Sequence, residues 1–76
     1  MIIRIIAKFT GYSFLSGEKK ELLSFIYKDF KFYTYRENIK QELQENHEYE
    51  LEIDRQVKKG EFWKQGRIFR KCKLIK

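Results

Sequence analysis

The sequence predicts a mainly β domain of five strands, with one short helix between the third and fourth. Three observations carry this. Residues 48–54 alternate Tyr49, Leu51 and Ile53 with Glu48, Glu50, Glu52 and Asp54, a clean period of two. Runs rich in isoleucine, phenylalanine and tyrosine recur elsewhere, and glycines rather than helical spacing punctuate them. Proline is absent and glycine occurs only four times, which excludes a linker-rich or disordered chain.

The 76 residues make a single domain, 1–76. A chain of this length buries only about 60% of its unfolded surface, so closure into a barrel or a homodimer is expected to supply the rest. Cys72 has no partner for an internal disulfide, and with His47 it falls short of the ligands a zinc site needs. No metal or cofactor is expected, and a reducing, cytoplasmic setting is. The apolar run Met1-Ile2-Ile3-Arg4-Ile5-Ile6-Ala7 is broken by a charge, too early for a signal-peptide core or a membrane helix, so no membrane partner is expected.

The first strand, Met1 to Thr10, places Ile3, Ile5, Ala7 and Phe9 on one buried face. Gly11 to Gly17 is then a glycine-bounded loop carrying Tyr12 and Phe14 as loop-borne contacts. Glu18 to Asp29 forms the second strand, with Leu23, Phe25 and Tyr27 on one face and Leu22, Ser24, Ile26 and Lys28 on the other. Asp29-Phe30 is the turn, and Lys31 to Tyr35 the third strand. Thr34-Tyr35-Arg36-Glu37 matches a capping box, which predicts a helix over 37–45 with Ile39 and Leu43 as its apolar stripe and Asn46 closing it in the left-handed conformation. The fourth strand follows from Glu48, with an acidic outer face. Lys58 to Gly66 is a basic loop, and Arg67 to Lys76 the last strand, with Arg70 out of pattern at a rim.

Charge is unevenly placed. Residues 1–36 carry seven Lys/Arg against three Asp/Glu, residues 37–54 one against seven, and residues 55–76 nine against one, giving balances of +4, −6 and +8. Such a distribution offers one face to a polyanion and turns another away from it. Within Phe25 to Tyr35 six of eleven residues are aromatic, interleaved with Lys28 and Lys31. Stacking platforms beside cations are the physical solution for holding single-stranded nucleic acid, because every base has a π face and every nucleotide a charge. A barrel core rich in aromatics explains the same residues without a ligand, since half of any strand points inward.

The order of elements resembles the oligonucleotide-binding (OB) fold, a five-stranded barrel with a helix between strands three and four; an SH3-like small barrel is the second fold. The resemblance spans the chain but rests on topology. It implies a ligand face made by strands two and three with the loops between strands one and two and between four and five. Here these are Phe25 to Tyr35, Gly11 to Gly17 and Lys58 to Gly66, the aromatic and basic parts of the sequence. The chain thereby looks like the small single-stranded DNA-binding proteins of bacteriophages and other mobile elements, but without their bacterial counterparts' acidic tail.

The expected function is non-sequence-specific binding of single-stranded DNA, or RNA, in support of replication or recombination. Stacking falls to Trp63, Tyr33, Tyr35, Phe25, Tyr27 and Tyr12. Phosphate contacts fall to Lys28, Lys31, Lys58, Lys59, Lys64, Arg67, Lys71 and Lys73. The alternative is a protein-interaction module, a phage-type inhibitor or adaptor that uses the same surface on a host or replication protein. No phosphate loop, nucleophile elbow or metal motif is present, so no enzyme is expected.

Overall fold

The structure is a computed structural model that describes residues 2–54 and 66–75. Its organising strand is β1 (Ile2–Ser13), whose alternation holds: Ile5, Ala7 and Phe9 are buried, whereas Ile2, Arg4, Ile6 and Lys8 are exposed. β1 runs antiparallel to β4 (Glu48–Asp54) in unbroken register from Ile2 opposite Asp54 to Lys8 opposite Glu48. Beyond Lys8 the ladder ends, and the loop before β4 takes over: Phe9 N–H donates to the His47 carbonyl at 3.0 Å and Asn46 N–H to the Phe9 carbonyl at 2.8 Å.

On its other side β1 pairs with β2 (Leu22–Tyr27), and the register shifts between Phe9 and Gly11. Such a bulge bends the strand and strengthens its twist. Gly11 serves it with φ of +128°, and a Cβ there would meet Glu45 Oε1 at 3.1 Å. Tyr12 and Ser13 continue the strand past the bulge, so the loop expected from Gly11 begins only at Phe14. β2 and β3 (Phe30–Tyr35) form a hairpin whose two-residue turn is Lys28-Asp29, one position earlier than expected. Lys28 takes φ of +56°, a conformation that glycine or asparagine adopts more readily.

The core lies inside the curl of the sheet. Four rings span it from strand to strand: Phe9 to Phe25 at 5.4 Å, Phe25 to Phe32 at 5.5 Å and Phe32 to Phe69 at 5.4 Å between centroids. Leu51 and Ile53 of β4 close it from the far side, fully buried as their alternation predicts.

The helix expected over 37–45 is a single 3-10 turn, Arg36–Asn38. Thr34 cannot cap it, because that side chain is buried in β3, where its hydroxyl donates to the Phe69 carbonyl at 2.9 Å and accepts from Asn38 Nδ2 at 3.0 Å. Arg36 then donates to the carbonyls of Ile39, Lys40 and Gln41. Tyrosine hydroxyls take the amides of Leu43 and Gln44, from Tyr12 at 3.5 Å and Tyr49 at 2.8 Å. Groups that would form the helical ladder are thus satisfied by side chains. The stripe itself survives, with Ile39 and Leu43 buried in the core, and Asn46 does take the left-handed conformation, φ +68°.

The last strand is two: β5 (Arg67–Phe69), parallel to β3, and β6 (Cys72–Leu74), antiparallel to β4. The sheet order is β5-β3-β2-β1-β4-β6. Its two edge strands are therefore neighbours in the chain, joined by Arg70-Lys71, and the sheet curls into a half-barrel to permit this. Among the described residues no helix is long and apolar enough to cross a membrane.

Candidate nucleic-acid interface

Alternation in β3 sends Phe32 into the core and Lys31, Tyr33 and Tyr35 to the outer face. Register sets Ile26, Ser24 and Leu22 of β2 beside them. On that outer face Leu22, Tyr33 and Tyr35 form a second apolar cluster, with Leu15 and Ile68 packed against it. The tyrosines are on the predicted face, yet only 9% and 8% exposed. The apolar cover comes from Leu15 of the loop 14–21 and from Ile68 of β5, which sequence alternation does not reveal.

Cations lie over both rings. Lys31 Nζ is 5.8 Å from the Tyr33 centroid, and Lys20 Nζ is 5.3 Å from that of Tyr35. The Tyr35 hydroxyl donates to Glu18 Oε1 at 3.1 Å and accepts from Arg70 Nη1 at 3.5 Å. Lys20 in turn bonds Glu37 at 2.9 Å, an interaction that holds its ammonium pKa above the ordinary value. Lys20 and Arg70, the latter out of pattern and at a rim as expected, are not among the expected contacts, since only the fold brings them to Tyr35.

The other expected stacking residues separate. Phe25 is fully buried between Phe9 and Phe32 and presents no face to solvent. Tyr27 is half-buried against the core, with Lys28 Nζ 5.4 Å from its ring centroid. Tyr12 is exposed, but its ring sits edge-on to Phe9, lies under the Arg36 guanidinium at 5.3 Å and donates its hydroxyl to Glu42 at 3.3 Å. Phe14 is 66% exposed, the most open large apolar side chain among the described residues. Trp63, Lys58, Lys59 and Lys64 lie outside the described residues.

Of the expected phosphate contacts, Lys28 and Lys31 are exposed at the turn end of the hairpin. Lys8 of β1, opposite Ile26, completes a row Lys8-Ile26-Lys31 across three strands. Lys73 stands instead opposite Glu52 of β4, which also pairs with Arg4 at 3.5 Å. The acidic stripe of β4 is thus bordered by basic residues on both sides, with Lys8 and Arg4 in register on β1. Lys71 is exposed beside Arg70, and Arg67 is half-buried with its guanidinium 5.7 Å from the Phe69 centroid. Cys72 is a buried thiol whose pKa burial pushes up to about 12, the residue of a core and not of a reactive site.

Comparison with protein-family models, with curated proteins and with solved structures gives no match to this chain.

Proposed function

We propose that this chain binds single-stranded nucleic acid, DNA before RNA and without sequence preference, on the outer face of β2 and β3. The strand arrangement is compatible with an OB barrel: a β1-β2-β3 meander, β3 parallel to β5, and β6, which follows β5 in the chain, antiparallel to β4. In such barrels the second and third strands carry the ligand. The observation that carries the reading is the exposed row Lys8-Ile26-Lys31, which stands beside the Tyr33 and Tyr35 rings that Leu15 and Ile68 cover, with Lys31 Nζ over the ring of Tyr33. Aromatic rings and cations then share one face, the combination that a stacked, charged strand uses. The chain acts by holding its ligand, in replication or recombination, and not by turning it over.

The test is a titration with oligothymidylate and with a matching duplex at several salt concentrations. About four neutralised phosphates give a log–log salt slope near −3, at roughly −0.7 each for single strands, with a weaker response to duplex. Affinity that ignores salt, or no binding at low salt, overturns the reading.

A second reading has its own support. Ile2 and Ile6 are 60% and 59% exposed on the outer face of β1, beside the acidic strand β4. Apolar side chains there favour a protein partner, and a chain that captures one but ignores oligonucleotides fits that function.

A further inference from the structure

We propose that the segment 14–21 is a strap which fills the Tyr33–Tyr35 platform in the free protein with surrogates for a nucleotide, so that single-stranded nucleic acid binds by displacing it. This rests on the nucleic-acid reading above. Leu15 is packed against the cluster of Leu22, Tyr33 and Tyr35, where a base would stack. Glu18 sets a carboxylate oxygen 3.1 Å from the Tyr35 hydroxyl, which Arg70 also reaches, while Lys20 lies over the same ring. An apolar group on an aromatic face and an anion among cations are what a nucleotide brings to such a site.

The strap is built to lift. Its ends are fixed by backbone pairing, Ser13 with Leu22 in the β1–β2 ladder and Arg36 N–H to the Glu21 carbonyl at 2.9 Å. Between those ends the backbone closes on itself, Glu18 N–H to the Leu15 carbonyl at 3.0 Å. The hold on the platform comes from Leu15, from Glu18 and from the solvent-exposed Lys20–Glu37 pair. Gly17, at φ +90°, has nothing within 4 Å of where a Cβ would be, so no neighbour packs on the strap at this point. Lifting takes the Glu18 carboxylate off the Tyr35 hydroxyl that Arg70 also reaches, and leaves Arg70 and Lys31 beside the two rings.

The experiment measures anisotropy of a labelled oligothymidylate with the full chain, its Leu15→Ser variant and its Glu18→Gln variant, each checked for folding. Nuclear Overhauser contacts between the Leu15 methyls and the Tyr33 and Tyr35 rings are followed alongside. Both variants should bind more tightly, Leu15→Ser by about tenfold, because less of the affinity is lost to opening the site. The Leu15 contacts should disappear when oligothymidylate is added to the wild type. Folded variants that bind no more tightly than wild type, or Leu15 contacts that persist in the complex, overturn the strap and leave the nucleic-acid reading standing. No binding by wild type or variants at low salt overturns both. Should Leu15→Ser fail to fold, Glu18→Gln and the Leu15 contacts of the wild type decide.

Discussion

Phe25 and Phe32 face each other across β2 and β3 with ring centroids 5.5 Å apart and planes 16° apart, and neither ring reaches solvent. They are the centre of the core. Phe25→Ala should cost about 3–5 kcal/mol, seen as a lower midpoint in urea unfolding. Phe25→Leu should leave oligothymidylate affinity unchanged in the folded fraction, since this ring offers no stacking surface.

Lys28 sets function against stability. Its φ of +56° is costly for a residue with a Cβ, so Lys28→Gly should stabilise the hairpin by up to ~1 kcal/mol in chemical denaturation. The same change should weaken oligothymidylate binding and flatten the log–log salt slope by about 0.7, one phosphate contact. A slope that stays constant would remove Lys28 from the interface.

Arg36 satisfies three successive carbonyls with one planar fork. Arg36→Lys should therefore destabilise nearly as much as Arg36→Ala, about 1–3 kcal/mol, because one ammonium cannot span the same acceptors. Thermal melts of the two variants check this.

Cys72 gives a pH dependence with a defined sign. Burial raises the folded thiol's pKa from 9.0 to about 12, against a smaller opposing effect of a hydrogen bond with Thr34. Below 9.0 the thiol is protonated whether folded or not. Above it the unfolded chain loses the proton first, so stability should fall as pH rises from about 9 towards 12. Cys72→Ala should flatten that decline relative to wild type. Alkylation of Cys72 at pH 8 should be slow until denaturant is added.

Gly11 combines two constraints, and they are separable. Gly11→Ala should destabilise by about 1–2 kcal/mol through its φ of +128°. Adding Glu45→Ala removes the 3.1 Å contact but leaves the backbone strain, so urea unfolding of the double variant should recover only a small part of the loss.

Which features could be read from the sequence follows from the range of the interactions that make them. β1 and β4 repeat every second residue, and Ile5, Ala7, Phe9, Leu51 and Ile53 are buried as that period requires. The face of Tyr33 and Tyr35 is equally local, fixed by its opposition to Phe32. Their burial is not local, because Leu15 arrives from a different loop. The capping box failed for the same reason. Thr34 and Glu37 have the right spacing, but Thr34 is committed to Phe69, thirty-five positions away, and Glu37 bonds Lys20. Long-range partners override a local signal whenever they bury the group that the signal needs.

The placement of β5 and β6 at opposite edges of the sheet has a consequence for biosynthesis. Until residues 67–74 have left the ribosome, β3 and β4 lack the neighbours that these residues provide, while the strands between them are already complete. Nascent chains stalled before Arg67 would thus present open strand edges to one another, the geometry that seeds intermolecular sheets. Three residues on either side of Arg70-Lys71 then cover part of both edges at once, and the exposure narrows to the short outer edges of β5 and β6 only when they emerge.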